Sequence, residues 1–141
     1  MATAVVSEGD EDLSQRVRAH RERRPAGWGL LELSGGGLNP VLDAARGHGA
    51  VLFDSLTLWV SARMYEGDDK ETVEELERFL KSAAALPEPV VIVSDEVGLG
   101  LVPENAEGHQ FRDLLGTINQ RVATAADEVH LCVAGLPLRV K

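Results

Sequence analysis

Short apolar runs alternate with longer amphipathic stretches along this chain, and the two patterns predict different elements. The apolar runs are rich in Val and Leu and are bounded by Gly, Pro or charged residues, which is typical of short strands buried on both faces. They are AVLFD (50–54), PVVIVSD (89–95) and EVHLCVAG (128–135), and the shorter run LPLRV (136–140) fits an edge strand.

The stretches between these runs keep the spacing of amphipathic helices. Helices are predicted over 69–86 and 110–126, and their apolar positions are Val73, Leu76, Phe79 and Leu80 in the first and Phe111, Leu114, Leu115, Ile118, Val122 and Ala125 in the second. Strands that alternate with helices predict an α/β fold with a mostly parallel sheet, whose ligands bind at the carboxyl ends of the strands.

A further helix is predicted over 10–23, because the segment starts with acidic residues and Pro25 follows its end. At about 100° per residue, Leu13, Val17 and His20 share one face of this helix, so we expect His20 to point toward the body of the protein. Residues 34–40, SGGGLNP, are predicted to form a short loop.

The chain has 141 residues, of which 44% are hydrophobic, and this supports a single globular domain over 1–141. The formal net charge of −9 argues against general affinity for nucleic acid or for an anionic membrane. No run reaches the ~18 apolar residues of a membrane span, and the first residues do not resemble a secretory signal. We therefore expect a cytoplasmic protein. Its one cysteine, Cys132, lies in an apolar run and is predicted to be buried.

The basic residues of this acidic chain cluster around His20, in RVRAHRERRP at 16–25. Neighbouring cations disfavour the protonated imidazole and attract phosphate oxygens. The segment therefore suits a neutral histidine that attacks phosphorus and forms a phosphoramidate. The alternative is a histidine that packs in the core or caps a helix, and helical position alone favours that alternative.

Two predicted strands end in carboxylates, Asp54 in the first and Asp95 followed by Glu96 in the second. A carboxylate at the tip of a buried parallel strand is well placed to hold Mg²⁺ beside a nucleotide phosphate. Capping of the next helix explains Asp54 equally well and Asp95 better. In the following loop, Gly98 and Gly100 favour a tight turn, with close approach of a ligand or a neighbouring subunit as the alternative.

Several motifs occur in one order along the chain and together resemble those of a known enzyme family. They are ATA (2–4), RVRAHRERRPAGW (16–28), Glu32, VLFDSLTLWVS (51–61), DEVGLGLVPEN (95–105), FRDLLGTINQRVATAADEV (111–129) and AGLPLRVK (134–141). Their sequence and spacing resemble the bifunctional adenosylcobinamide kinase/adenosylcobinamide-phosphate guanylyltransferase family of cobalamin biosynthesis, and the resemblance runs from Ala2 to Lys141. Asp95 departs from the pattern, because the family usually has Asn at that place.

The resemblance implies a reaction in which the histidine of the R-[IV]-x-x-H-[KR]-x-x-R-P motif accepts GMP from GTP and passes it to adenosylcobinamide phosphate. His20 occupies that place in this sequence. It also implies a P-loop-NTPase-like (RecA-like) α/β domain that uses GTP, ATP for the kinase step and Mg²⁺, and that assembles as a homotrimer. By the same matching, the nucleotide site is lined by Ala2, Thr3, Ala4, Glu22, Arg23, Arg24, Pro25, Glu32 and Asp54, with Asp54 as the possible magnesium ligand.

The sequence departs from the family at its front, where the family has a strand and a phosphate-binding loop of the G-x-x-x-x-G-K-[ST] type. The lysines here are Lys70, Lys81 and Lys141, and none of them follows a glycine. Roughly thirty residues that form a strand, the loop and a helix are therefore expected to be missing before Met1. We expect a truncated gene model or a partial sequence first and a short, transferase-only protein second, with kinase activity only where the loop is present.

Two functions stay open at this point, and a basic nucleic-acid-binding module, which the net charge disfavours, is a distant third. One is nucleotidyl transfer through His20, and the other is a catalytically inactive, truncated paralogue that acts as a subunit or scaffold.

Overall fold

The computed structural model describes residues 15, 18–19, 22–33, 37–66 and 68–141 of the protein. In chain order, these ranges contain α1 (Asn39–Ala45), β1 (Val51–Asp54), α2 (Leu56–Glu66), α3 (Asp69–Ala83), β2 (Val90–Val93), α4 (Ala106–Ala125), β3 (His130–Val133) and β4 (Leu136–Arg139). Of the helix predicted over 10–23, residues 15, 18, 19, 22 and 23 are described, and each is helical. The face predicted to carry Leu13, Val17 and His20 lies outside the described residues.

The strands β1 and β2 form a parallel pair whose register runs from Val51 opposite Val90 to Asp54 opposite Val93. The chain passes from one strand to the other through α2 and α3. Helices and a small parallel sheet together confirm the predicted α/β class.

The last two strands differ from this arrangement, because β3 and β4 pair antiparallel, with His130 opposite Arg139. The turn between them places Ala134 at φ 51° and Gly135 at φ 79°. Two-residue hairpin turns with positive φ at both central positions match the twist of the strands that they join. The run LPLRV is therefore a strand as predicted, but it pairs within a local hairpin.

The core lies where α2, α3 and α4 meet β1. Phe53 of β1 is fully buried, and its ring meets that of Phe79 edge to face, with the centroids 6.0 Å apart. The apolar sides predicted for the two long helices supply this core: Leu76, Phe79, Leu114, Leu115 and Ile118 are buried, and Val73, Leu80, Phe111 and Val122 pack against them.

The prediction that the strands are buried on both faces is wrong for β2 and β3. In β2, Val90 and Ile92 pack against the core, whereas Val91 is 52% exposed. In β3, three of the four residues are exposed, and Cys132 is one of them. The predicted burial of Cys132 is wrong because its apolar run lies in a two-stranded hairpin, where apolar neighbours along the chain do not cover a thiol.

Two helices were not predicted. The helix α1 begins at Asn39, inside the segment 34–40 predicted as a loop, with Pro40 in its first turn. The helix α2 follows β1 directly, and its first residues are as apolar as the strand, so no polar side marks the change from strand to helix. Within the described ranges, no helix is both long and apolar enough to cross a membrane.

Candidate functional site

Parallel pairing brings the carboxyl ends of β1 and β2 to one edge of the sheet. Asp54 and Val93 are partners in the register, so the two strand ends stand side by side. Asp54 is half-buried, Ser55 is buried, and the peptide bond that joins them is cis. We refer to this edge, formed by residues 54–57 and 94–98, as the strand-end site.

Ser55 and Asn105 make the capping hydrogen bonds seen at the helices that follow these strands. At the start of α2, the Ser55 hydroxyl accepts a hydrogen bond from the N–H of Leu58 at 3.4 Å. At the start of α4, the Asn105 side chain accepts one from the N–H of Gly108 at 2.7 Å. Asp95 instead lies in the loop between β2 and α4, well before the cap at Asn105, so the preference for a capping role at Asp95 is wrong.

The backbone of Asp95 is held from both sides. Its N–H donates to Oγ1 of Thr57 at 2.9 Å, and its carbonyl accepts from Nδ2 of Asn119 at 3.0 Å. The carboxamide oxygen of Asn119 also accepts from the hydroxyl of Ser94 at 2.6 Å. The side chains of two helices thus fix the chain at the end of β2, while the side chains of Asp95 and Glu96 face solvent.

The loop after Asp95 turns at Gly98. The N–H of Gly98 donates to Oε1 of Glu96 at 2.5 Å, and its carbonyl accepts from Nη2 of Arg112 at 3.0 Å. A Cβ at this position would lie 2.6 Å from the same Glu96 oxygen. A side chain at this position would displace the Glu96 carboxylate, and the turn that the backbone makes at residues 98–99 is the predicted tight turn.

A concave region lies apart from the strand-end site, between the end of α2 and the start of α4. It is an open pocket of about 260 Å³ lined by Ser61, Met64, Tyr65, Asn105, Glu107, Gly108 and Phe111. The hydroxyl of Tyr65 donates to Oε1 of Glu107 at 2.5 Å, and this hydrogen bond, together with the carboxylate charge, raises the pKa of Tyr65. Because these two polar side chains satisfy each other, the strand-end site is the stronger candidate for ligand binding.

The structure describes part of the residue set that the sequence predicts for nucleotide binding. At the end of the first helix, Glu22, Arg23 and Pro25 are exposed, and Arg24 is half-buried. The exposed Glu32 forms a single β-bridge. The strand-end site brings Asp54 together with Thr57 and Asp95. The predicted catalytic residue His20 lies outside the described residues, as do Ala2, Thr3 and Ala4.

Asp54 is suited to a magnesium ion by its position and its chemistry. Mg²⁺ is usually held by one or two carboxylates and completes its octahedral shell with phosphate oxygens and water. The half-buried Asp54 at a strand end offers such a carboxylate. Across the part of the chain that the structure describes, no group of three or more His, Cys, Asp and Glu side chains is arranged to hold a metal by itself.

Sequence reasoning missed Asn119 and assigned no contact to Thr57. A signal for Asn119 was present, because it follows the fully buried Leu115 by four residues and therefore lies on the inner side of α4. A carboxamide on that side needs hydrogen-bond partners, and the structure supplies them at Ser94 and Asp95.

Comparison with known proteins agrees with the family suggested by the sequence motifs. The sequence matches the family described as cobinamide kinase/cobinamide phosphate guanyltransferase over residues 1–140. The bifunctional adenosylcobalamin biosynthesis protein CobP of Pseudomonas aeruginosa is 33% identical over 138 residues, which cover 98% of this chain and 80% of that protein. The proteins named CobU of Salmonella typhimurium and Escherichia coli are 32% and 30% identical, and each alignment covers 94% of this chain and 80% of the relative.

Proposed function

This chain belongs to the cobinamide kinase/cobinamide phosphate guanyltransferase family of cobalamin biosynthesis, and from that premise we propose that it transfers GMP from GTP to adenosylcobinamide phosphate through His20. The observation that carries the proposal is the segment RVRAHRERRP at 16–25, which puts one histidine among arginines in a chain of net charge −9. Such a segment suits a nucleophile that acts on a phosphate ester.

The reaction consists of two displacements at one phosphorus atom. In the first, the imidazole of His20 attacks the α-phosphorus of GTP, a P–N bond forms, and pyrophosphate leaves with the electrons of the broken P–O bond. In the second, a phosphate oxygen of adenosylcobinamide phosphate attacks the same phosphorus. The P–N bond breaks, the imidazole is released, and adenosylcobinamide-GDP is formed.

The arginines around His20 have two effects in this proposal. Their charges disfavour a protonated imidazole, so the ring keeps the lone pair that attacks phosphorus. Their guanidinium groups also bind phosphate oxygens and offset the negative charge of GTP. By the match to the family motifs, we place Glu22, Arg23, Arg24 and Pro25 in the nucleotide site, together with Ala2, Thr3, Ala4, Glu32 and Asp54.

Asp54 is the residue proposed to hold Mg²⁺ at the strand-end site. When bound, the ion neutralises charge on phosphate oxygens. The position of Asp54 at the carboxyl end of a parallel strand is where nucleotides bind in α/β sheets.

We extend the proposal to the fold, the kinase step and the assembly. A P-loop-NTPase-like domain fits the parallel pair flanked by helices. Adenosylcobinamide kinase activity, with ATP as donor, is proposed only for a chain that carries a phosphate-binding loop of the G-x-x-x-x-G-K-[ST] type, because the loop amides and lysine cradle the phosphates. The enzyme is proposed to be a cytoplasmic homotrimer.

Labelling with GTP tests the role of His20. Purified protein incubated with Mg²⁺ and GTP radiolabelled at the α-phosphate is expected to acquire an acid-labile label, because P–N bonds hydrolyse in acid. GTP labelled at the γ-phosphate is expected to leave the protein unlabelled, since that phosphate leaves with pyrophosphate. His20→Ala should reduce the label to background.

The matched control is His109→Ala, which removes an exposed histidine on α4. This variant should label like the wild type. Equal labelling of His20→Ala and the wild type would refute the assignment. No labelling at any GTP concentration, combined with stable binding to a full-length relative, would instead favour the inactive paralogue.

A further inference from the structure

The Ser94–Asp95 segment is held by side chains from two helices that approach it from different elements. Thr57, in the first turn of α2, accepts from the N–H of Asp95 at 2.9 Å. Asn119, on α4, accepts from the Ser94 hydroxyl at 2.6 Å and donates to the Asp95 carbonyl at 3.0 Å. One carboxamide thus uses both its acceptor and its donor on two successive residues of the chain.

We propose that Asn119 is a positioning residue of the guanylyl-transfer site, which it serves by fixing the Ser94–Asp95 segment beside Asp54. The inference rests on the proposed function, because it takes the strand-end site as the nucleotide site. It assigns no contact between Asn119 and substrate, and the residue acts through the backbone that it holds.

The position of Asn119 explains why it can do this. It lies seven residues after Arg112 on α4, so the two side chains leave the helix on the same side. Arg112 binds the carbonyl of Gly98 at 3.0 Å, and Asn119 binds that of Asp95. One face of α4 therefore holds the segment 95–98 at both of its ends.

These hydrogen bonds fix the backbone from which the exposed side chains of Asp95 and Glu96 extend. That backbone lies at the edge of the sheet where β1 ends with Asp54. If these backbone groups lacked their hydrogen bonds, the loop would adopt several conformations. Holding it in one direction before the ligand arrives lowers the cost of ordering the site, and misplacement of about 1 Å can cost on the order of a hundredfold in rate.

Four substitutions test the individual hydrogen bonds that hold the Ser94–Asp95 segment. Asn119→Asp keeps the acceptor for Ser94 but loses the donor to the Asp95 carbonyl, and Ser94→Ala removes the other bond. Thr57→Val removes the acceptor for the Asp95 N–H at nearly constant volume, and Thr57→Ser restores a hydroxyl. The control is Thr124→Val, which removes an exposed hydroxyl elsewhere on α4. This hydroxyl donates a hydrogen bond to the Gln120 carbonyl of the same helix.

The measurements are kcat and KM for GMP transfer and amide hydrogen exchange over 94–98. Asn119→Asp and Thr57→Val are expected to lower kcat about tenfold or more and to speed exchange in 94–98, and Ser94→Ala, which removes the other hydrogen bond of Asn119, is expected to change both readouts in the same direction. Thr57→Ser should recover most of the activity and exchange protection that Thr57→Val loses, because it restores the hydroxyl, and Thr124→Val should stay within about twofold of the wild type in both readouts. Equal kcat in the wild type and Asn119→Asp, or exchange that is unchanged in 94–98, would overturn the proposal.

A failure of the proposed function would give a different result from a failure of the positioning role. If the wild type binds GTP but transfers no GMP, the proposed transfer reaction is refuted. The Kd for GTP then measures whether Asn119 positions the Ser94–Asp95 segment for ligand binding. A weaker Kd in Asn119→Asp and Thr57→Val, with Thr57→Ser restored, then supports a positioning role. An unchanged Kd, or a wild type that binds no GTP, overturns it.

Discussion

Tyr65 is the only tyrosine of the chain, so its ionisation can be followed without interference from another phenol. Its hydroxyl donates to Glu107, and the hydrogen bond and the negative charge of that carboxylate raise the pKa of Tyr65 above its ordinary value. The neutral phenol is thus favoured in the folded protein. Its contribution to stability is present below pH ~10 and is lost as the pH rises through the higher folded-state pKa.

Glu107→Gln is expected to lower the pKa of Tyr65 toward its ordinary value, because the carboxylate charge is removed. The measurement is ultraviolet absorbance of the phenolate during an alkaline titration. Glu104→Gln serves as the control, since it removes an exposed carboxylate from the preceding loop. If both variants titrate like the wild type, the bond to Glu107 is not what sets the ionisation of Tyr65.

At the scale of single residues, the sequence predicted the position of a residue within a strand or helix better than it predicted the contacts of its side chain. Asp54 was expected at the end of a strand, and it ends β1. Cys132 was expected to be buried and is exposed, because the types of its neighbours do not reveal what covers them. Asn119 shows the same limit, since its partners at Ser94 and Asp95 belong to a strand end distant in sequence.

The N-terminus of α4 is set by Asn105, whose side chain accepts from the N–H of Gly108. Asn105→Ala leaves that N–H without its partner and is expected to lower the free energy of unfolding by about 1 kcal/mol. Asn105→Asp retains the acceptor and places a negative charge at the positive end of the helix, so its stability should equal or exceed that of the wild type. Urea unfolding measures both, and an Asn105→Ala variant as stable as the wild type would contradict the assignment.

At the scale of elements, long amphipathic patterns were predicted well and short or uniformly apolar ones were not. The helix predicted over 69–86 ends at Ala83, and the one predicted over 110–126 begins at Ala106. The extra turn of α4 is polar and shows no apolar side, so only its cap marks the true start. The helices α1 and α2 were missed, one because it is short and follows glycines, the other because its apolar residues continue those of β1.

The leucine side chains of this protein differ widely in solvent exposure. Leu115 is fully buried among the helices, whereas Leu101, in the loop between β2 and α4, is 98% exposed. Leu115→Ala is expected to lower the free energy of unfolding by about 3 kcal/mol, because it leaves a cavity in the core. Leu101→Ala, the same chemical change without a cavity, should cost less than about 0.5 kcal/mol.

Chemical unfolding of the two variants beside the wild type makes this comparison directly. A similar loss of stability in both would mean that Leu101 is covered in the folded protein in solution.

For the whole molecule, the order of strands and helices identified the α/β class and the edge at which the candidate site lies. It did not reveal that the last strand pair is an antiparallel hairpin, because the runs EVHLCVAG and LPLRV carry no sign of their pairing partners. Strand pairing depends on contacts across the sheet, and a single sequence records apolar runs without saying which of them meet.

The pairing of Val51 with Val90 joins distant parts of the chain, whereas the β3–β4 hairpin joins neighbours across two residues. Closing the larger loop costs more chain entropy, and α2 and α3 offset that cost by packing their own residues inside it. The edge that ends in Asp54 thus depends on the helices folding between its two strands. We therefore expect the groups assigned to chemistry to become neighbours late in folding, after α2 and α3 have formed between the two strands.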